Sequence, residues 1–296
     1  MNETILKKLA KPMIVLATLI WGSTFFIMKD TLDSVDLMFL LAFRFTFAAA
    51  VLSLVFWKRW KTVRPADWLR GTVMGLLLFA AYTVQNYGLM GTTPGKNAFF
   101  TAVYCVIVPF LYWAVMGRKP DRYNILSALL CVAGVALVSV TGEFTVGLGD
   151  SLTLVGAFFY AAHIIAVEKV SEGEKDIYLL TVIQFASAAV FCWVGNAMFG
   201  SLPPAEAFTP SILLQLSYLI VMCTTVALLF QNVGQIWSDP ASASILLSLE
   251  SVFGVLFSVL FYHDPVTARL LLGFGLIFVA VVCSETKFSF LKKRQA

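Results

Sequence analysis

Long apolar runs alternate with short polar segments along the whole chain. A transmembrane helix needs about 20 predominantly apolar residues, and runs of that length follow one another with only short gaps. No soluble domain fits between them, and the first run lacks the small-residue cleavage site of a signal peptide. The pattern predicts an all-α integral membrane protein of about ten transmembrane helices. The predicted spans are residues 12–29, 37–57, 68–88, 95–116, 123–141, 151–169, 177–198, 211–231, 240–262 and 267–284.

Composition supports a lipid environment. Of the 296 residues, 59% are hydrophobic and 13% are charged, whereas soluble domains are about 45–50% apolar and about 25% charged. We therefore expect the lipid bilayer to be the main partner. The five cysteines all lie in apolar runs without a CxxC pair, so neither a disulfide framework nor a zinc site is predicted.

The basic residues indicate the topology. With the N-terminus in the cytoplasm, 17 of the 21 lysines and arginines fall on the cytoplasmic side, as the positive-inside rule requires. We expect a multi-pass protein of the cell membrane with both termini in the cytoplasm. Because the basic residues lie in loops and not along one face, they do not predict nucleic-acid binding.

A motif recurs at a constant offset of 146 residues. Gln-Asn-Tyr-Gly at residues 85–88, followed by Pro94, returns as Gln-Asn-Val-Gly at residues 231–234, followed by Pro240. A weaker similarity relates residues 21–29 to residues 160–169. Halves with an odd number of spans enter the bilayer from opposite sides. The chain therefore predicts two inverted five-helix repeats that share one central cavity.

We predict residues 1–145 as the first repeat and residues 146–296 as the second, within one membrane domain. Carriers with inverted repeats expose a central cavity to one face of the membrane at a time. A ten-helix unit can enclose its own cavity, so we expect the protein to act as a monomer.

Several short motifs resemble the EamA-type branch of the drug/metabolite transporter superfamily, and the likeness covers essentially the whole chain. The residues that carry it are Trp21-Gly22, Arg44, Thr-Pro-Gly-Lys-Asn-Ala-Phe at 93–99, Val108-Pro109, Gly149-Asp150 and Leu249-Glu250. Ser251 departs from that family's pattern, which usually has proline after the glutamate. The resemblance implies a secondary transporter that exports an amino acid or a related amphipathic metabolite.

Two alternatives stay open: import of an organic cation such as choline, and a membrane protein that is a passive channel or does not transport. An enzyme is not predicted. The string Gly-Asp-Ser-Leu at 149–152 resembles a hydrolase motif, but no downstream Asp-x-x-His accompanies it. The sequence also lacks a phosphate-binding P-loop. No cofactor is expected, and the driving force is expected to come from a gradient, with a proton or another cation as coupling partner.

Two charged residues within spans are the leading candidates for the site. Glu250 lies near the middle of the ninth span, where a charge costs about 2.5–3.5 kcal/mol. It must face protein or water, and we expect it to bind substrate, couple a proton or do both. Arg44, in the second span, is its obvious partner by sign. Their pairing would be structural, whereas a separate Arg44 would be free to bind substrate.

Other candidates follow from residue type and position. His163 titrates in a range suited to a proton relay, although a lone buried histidine is also a common packing residue. Asn97 begins a polar stripe on the fourth span, which lines a cavity or contacts another helix. Trp21, Tyr82, Tyr104 and Tyr160 lie deep in their spans and form an aromatic box if they converge on Glu250.

Prolines mark predicted helix starts and a hinge. Pro94 and Gly95 open the fourth span and Pro240 opens the ninth, at equivalent positions of the two halves. Duplicated breaks of this kind point to a binding site or to a tight hairpin. Pro109 lies well inside the fourth span and is predicted to kink it.

Overall fold

The fold is known from a computed structural model that describes residues 3–139, 146–171, 176–262 and 266–287. Residue 145, the predicted end of the first half, lies outside these ranges, and residue 146, the predicted start of the second, lies within them. The helices are α1 (Glu3–Leu32), α2 (Leu37–Val55), α3 (Pro65–Met90), α4 (Pro94–Ala102), α5 (Tyr104–Met116), α6 (Arg122–Ser139), α7 (Leu148–Ser171), α8 (Ile177–Phe199), α9 (Pro210–Tyr218), α10 (Ala227–Gln235), α11 (Pro240–Leu247), α12 (Leu249–Tyr262) and α13 (Ala268–Thr286). A π-helical stretch (Leu219–Val226) joins α9 to α10.

By length and composition, seven helical segments of the described chain are able to cross a bilayer. They are Thr4–Leu32, Leu37–Val55, Pro65–Met90, Pro94–Met116, Leu148–Val170, Ile177–Phe199 and Pro210–Gln235. Two further apolar helices are shorter, Arg122–Leu137 and Ala268–Ser284, and the predicted ninth span is divided into α11 and α12. The all-helical, multi-pass class is confirmed, and the count of ten spans stays a prediction.

Apolar side chains cover the outside of the bundle while polar ones lie inside it. Leu54, Leu214 and Phe278 are 75%, 73% and 70% exposed, whereas Arg44 and Asn97 are 1% and 0% exposed. A soluble fold shows the opposite tendency for charged residues. This distribution fits helices whose outer faces contact lipid and whose polar groups find partners on neighbouring helices.

Aspartates cap the N-termini of α2 and α8. Asp36 accepts hydrogen bonds from the backbone of Met38 and Phe39, and Asp176 accepts them from Tyr178 and Leu179. Each carboxylate satisfies N–H groups that the first helical turn leaves without partners. The two caps fix where these helices enter the bundle.

Glycines allow the closest helix contacts. A Cβ atom added to Gly88 on α3 would lie 2.7 Å from the carbonyl oxygen of Gly149 on α7. A Cβ added to Gly234 on α10 would lie 2.6 Å from the carbonyl oxygen of Ala10 on α1. Small residues at such crossings are typical of membrane helices. α3 thus packs against the start of α7, and α10 packs against α1.

Two large apolar cores result. One is centred on α2, α3 and α8, and the other on α5, α6, α7, α11 and α13. Trp21 on α1 and Tyr160 on α7 pack against both cores. These two aromatic residues therefore lie at the boundary between the cores, where the candidate site is found.

We predict that Gly88→Ala destabilises the protein by about 1–3 kcal/mol, because the added methyl group overpacks the contact between α3 and α7. Gly275→Ala is the matched control, since its Cβ would meet nothing within 4 Å. Thermal unfolding in detergent measures both variants. Equal stability of the two would contradict the close packing at Gly88.

Candidate functional site

A cavity lies between the two cores and is lined by residues of α1, α2, α3, α4, α5, α7, α10, α11 and α12. Its empty volume, including the open mouth, is about 610 Å³. Of the residues proposed from the sequence, those that line the cavity are Trp21, Arg44, Tyr82, Asn97, Tyr104, Tyr160 and Glu250.

Glu250 and Tyr104 lie just after interruptions of two helices. Between α4 and α5, the N–H of Val106 donates to the carbonyl of Val103 at 2.9 Å. Between α11 and α12, the N–H of Ser251 donates to the carbonyl of Ser248 at 3.2 Å. Such i+3 bonds tighten the helix locally and often mark hinges. The interruption in the predicted fourth span lies at Val103 and precedes Pro109, which is inside α5.

A hydrogen bond connects these two interrupted helices at the cavity. The Tyr104 hydroxyl donates to Oε1 of Glu250 over 3.4 Å. Beside it, the hydroxyl of Ser251 donates to the carbonyl of Ala98 at 3.0 Å, so α12 also bonds to α4. Ser251, the departure from the family pattern, therefore supplies a helix contact that proline could not make.

Three tyrosines form a continuous aromatic wall. The ring centroids of Tyr82 and Tyr160 are 5.7 Å apart, and those of Tyr160 and Tyr104 are 6.3 Å apart. These separations are typical of favourable aromatic pairs. The wall leads from the neighbourhood of Arg44 to Tyr104, the residue that bonds Glu250. All four deep aromatic residues named from the sequence, including Trp21, line the cavity that Glu250 lines, and Tyr104 bonds Glu250 directly.

Arg44 is buried without a carboxylate partner. Its Nε donates to Thr224 at 3.0 Å, its Nη1 approaches the sulfur of Met28 at 2.9 Å, and its guanidinium lies 5.6 Å from the Tyr82 ring centroid. Nη2 has no hydrogen-bond partner. In the described part of the chain, no ion pair joins Arg44 to Glu250 or to any other acid, so the pairing suggested by their signs is not formed.

The π-helical stretch positions two of these contacts. Thr224, which accepts from Arg44, lies within it, and the carbonyl of Cys223 accepts from the indole Nε1 of Trp21 at 2.9 Å. π-Helical turns are rare and occur frequently at functional sites. No sequence pattern marked this stretch, because its residues read as an ordinary apolar span.

Gln85 is one of several cavity residues that were not proposed from the sequence. Its side-chain carbonyl accepts from Tyr160 at 2.7 Å, its amide donates to Thr101 at 2.9 Å, and its backbone carbonyl accepts from Asn97 at 3.1 Å. Asn97 also donates to Thr153 at 2.8 Å. Gln85 thereby ties α3 to α4 and α7, and its place in the duplicated Gln-Asn motif was the signal that pointed to it.

His163 lies outside the cavity lining, in a separate polar cluster. Its Nε2 is 3.0 Å from the amide nitrogen of Gln184, whose oxygen accepts from Asn232 at 2.9 Å. Asn232 also donates to Thr181 at 3.0 Å. All four residues are at most 1% exposed. The structure therefore separates His163 from Glu250 and from the aromatic wall.

Helices begin at both of the prolines that were predicted to open a span. α4 begins at Pro94 after the N-cap Thr93, with Gly95 in its first turn, and α11 begins at Pro240 after the N-cap Asp239. Neither proline lines the cavity. The described residues contain no group of three or more metal-ligating side chains.

Residues that line the cavity approach the C-terminal ends of α1 and α3. Leu89 lines the cavity close to the end of α3, and Lys29 donates to the carbonyls of Leu89 at 2.9 Å and Met90 at 3.0 Å. Beyond it, Lys96 pairs with Asp150 at 3.7 Å. These contacts join α1 to α3 and α4 to α7.

A family model and two curated relatives that match this chain are all described as transporters. The model of the EamA-like transporter family matches residues 9–140 and again residues 147–286. An uncharacterized transporter of Archaeoglobus fulgidus is 31% identical over 277 residues, covering 91% of this chain and 83% of that protein. The uncharacterized transporter YvbV of Bacillus subtilis is 24% identical over 226 residues, 74% of this chain and 72% of that protein.

A solved crystal structure shares the fold. It superposes with a TM-score of 0.79 at 16% sequence identity, covering 95% of this chain and 98% of the other. At this level of identity the likeness concerns the fold alone.

We predict that Gln85→Leu and Tyr160→Phe each lower stability, and that the double variant loses less than both losses combined. Each change removes the same 2.7 Å hydrogen bond, and residues in one network show coupling energies of about 0.5–3 kcal/mol. Thermal unfolding of the four proteins in detergent gives the cycle. Strictly additive losses would mean that this bond does not hold α3 to α7.

Proposed function

Because this chain belongs to the EamA-like transporter family, we propose that it is a secondary transporter that moves a small amphipathic metabolite by alternating access. The observation that carries the proposal is the cavity between the two cores, which combines polar, charged and aromatic side chains deep inside a membrane protein. Groups of this kind inside membranes mark substrate pathways. Following the family resemblance, an amino acid or a related metabolite is the first expectation, and export is the expected direction.

The contact between Tyr104 and Glu250 supports an inverted repeat. At the offset of 146 residues given by the duplicated motif, Tyr104 corresponds to Glu250, and these two residues share a hydrogen bond. Equivalent residues that touch each other lie beside the axis that relates the two halves. The paired caps of Asp36 and Asp176, 140 residues apart, and the two matches to the family model add to this support.

The same correspondence supports alternating access. At an offset of 140 residues Arg44 corresponds to Gln184, and at 146 residues Asn86 corresponds to Asn232. Arg44 and Asn86 line the cavity, whereas Gln184 and Asn232 are hydrogen-bonded to each other in the closed cluster around His163. Arg44 and Asn86 thus face a cavity, whereas their counterparts in the other half are buried and bonded to each other. In our proposal the closed cluster opens when the cavity closes.

The charge pattern gives the proposed orientation. Cavity-lining residues of α1 run from Trp21 to Met28, towards the end of that helix at Leu32. With a cytoplasmic N-terminus, this end faces the outside. We therefore propose that the structure is the outward-open state of a cell-membrane protein with ten spans and both termini in the cytoplasm.

An organic cation is the second candidate substrate. The tyrosine wall and the carboxylate of Glu250 favour a quaternary ammonium group through cation–π contact and charge. The guanidinium of Arg44 in the same cavity opposes a substrate that carries only positive charge. For this reason an amphipathic metabolite is preferred.

The test of transport is counterflow in proteoliposomes. Vesicles preloaded with amino acids, quaternary amines, sugars or nucleosides receive a labelled tracer of the same class, with protein-free liposomes as control. We expect saturable accumulation for the amino acid class. Accumulation for quaternary amines would favour the second candidate, and uniform passive leakage through folded protein would identify a channel.

We predict reciprocal labelling of two equivalent cysteine variants, Asn86→Cys and Asn232→Cys. In detergent without substrate, a thiol reagent should react about tenfold faster with the first than with the second, because Asn86 is buried but lines the cavity, whereas Asn232 is buried outside its lining. The substrate found by counterflow should raise the rate at residue 232 and lower that at residue 86. Wild-type protein, with its five buried native cysteines, gives the background.

Labelling rates that rise or fall together at both positions would contradict alternating access. The same holds if residue 232 reacts as fast as residue 86 before substrate is added.

A further inference from the structure

The segment between α2 and α3 brings positive charge and exposed aromatic rings together. Residues 57–70 contain five basic residues and one acid, Asp67. Asp67 is already engaged, since its carboxylate accepts a hydrogen bond from Arg70 at 3.0 Å. Lys58 and Lys61 are exposed, and in the described part of the chain neither forms an ion pair. The two lysines therefore present positive charge to the surroundings of the protein.

An open groove lies where α2 ends and this segment begins. The apolar part of its wall is formed by Val55, Phe56 and Trp57. Lys58 and Arg59 form the basic part, and the hydroxyl of Thr62 closes the turn by donating to the carbonyl of Arg59 at 2.8 Å. The groove thus joins an apolar surface to two basic groups.

Arg59 is held in place by the start of α8. Its Nη1 pairs with Oδ2 of Asp176 at 2.6 Å, and its guanidinium lies 4.5 Å from the ring centroid of Tyr178. Asp176 also caps α8, so the ion pair is anchored to a helix end. A guanidinium carries five N–H donors, and this ion pair engages those of Nη1. Arg59 is therefore oriented at the groove and can bind a second acceptor.

Exposed apolar and aromatic side chains surround the groove. Leu54 and Val55, in the last turn of α2, are 75% and 62% exposed. Trp57 and Trp68 are exposed as well, and tryptophan is enriched where the hydrocarbon of a bilayer meets the headgroups. The end of α2 therefore suits contact with acyl chains, and the basic residues that follow it suit contact with phosphates.

From this arrangement we propose that the groove binds an anionic phospholipid. The lipid phosphate accepts hydrogen bonds from Lys58 and Arg59, and the acyl chains lie along Leu54 and Val55. With a cytoplasmic N-terminus the groove faces the cytoplasmic leaflet, whose negative surface attracts basic residues. Through Arg59 and Asp176 the bound lipid ties the end of α2 to the start of α8. The groove is separate from the central cavity, so the proposal does not depend on what the protein transports.

A second basic segment gives a matched comparison for general charge attraction. Lys119 lies between α5 and α6, with its Nζ 5.6 Å from the ring centroid of Trp113, and the Nζ of Lys58 lies 5.6 Å from that of Trp57. Both lysines are exposed, and both lie on the proposed cytoplasmic side. Lys58 lines the groove and Lys119 does not. A difference between variants at these two positions therefore reports the groove itself.

Lipid binding is measured on the full chain, purified in detergent and freed of lipid. The ligands are phosphatidylglycerol, phosphatidylcholine with the same acyl chains, and glycerol phosphate, which has the phosphate but no chains. Native mass spectrometry counts bound lipid, and thermal unfolding reports stabilisation. We expect phosphatidylglycerol to bind about tenfold more tightly than phosphatidylcholine, because basic residues each favour anionic lipid severalfold. Glycerol phosphate at the same concentration should not stabilise the protein.

We predict that Lys58→Gln weakens the binding of phosphatidylglycerol about fivefold, the contribution of one basic residue near an anionic lipid. Lys58→Arg, which retains the charge, should keep the wild-type affinity. Lys119→Gln is the control and should also bind as the wild-type protein does. Thermal unfolding without lipid checks that each variant is folded. Lys58→Met, which keeps an apolar chain in the groove, repeats the test if Lys58→Gln does not fold.

Equal binding of the two lipids by wild-type protein would overturn the proposal. Equal losses in Lys58→Gln and Lys119→Gln would also overturn it, since they would show attraction to the charge of the protein as a whole. So would wild-type affinity in folded Lys58→Gln or Lys58→Met. Stabilisation by glycerol phosphate as large as that by phosphatidylglycerol would identify a site for free phosphate in place of a lipid.

Discussion

The structure depends on one constraint: polar groups inside a bundle whose outer surface faces lipid must find partners on neighbouring helices. Gln85 meets this constraint most fully. It bonds Tyr160 on α7 and Thr101 on α4 through its side chain, and Asn97 through its backbone. These bonds require helices to lie close together, which the glycine contacts between α3 and α7 allow.

Four buried polar atoms that lack a hydrogen-bond partner in the described chain lie in two places. Nη2 of Arg44 and Oδ1 of Asn97 belong to residues of the cavity, while Nδ1 of His163 and Oδ1 of Asn232 belong to the closed cluster. Leaving a buried polar group unpaired costs about 1–3 kcal/mol. A ligand in the cavity, or water in an opened cluster, satisfies such groups. The costs therefore fall where our proposals require a change of partner.

Interrupted helices give the site its shape. α4 and α5, like α11 and α12, meet at local tightenings of the backbone beside Tyr104 and Glu250, and the π-helical stretch presents Thr224 to Arg44. Discontinuous helices are typical of transporter binding sites. Irregular backbone of this kind is tolerated in a membrane only where other helices or a cavity surround it.

The sequence by itself determined the membrane class, the helix starts at Pro94 and Pro240 and the identity of the deep charged and aromatic residues. Apolar length and charge placement are local properties that lipid selects directly. Only the tertiary structure decided which of these residues meet. It separated His163 from the cavity, left Arg44 unpaired, placed a helix interruption at Val103 and gave Gln85 its central role. Such contacts depend on how helices rotate and cross, which is fixed by packing between distant segments and not by the pattern along any one of them.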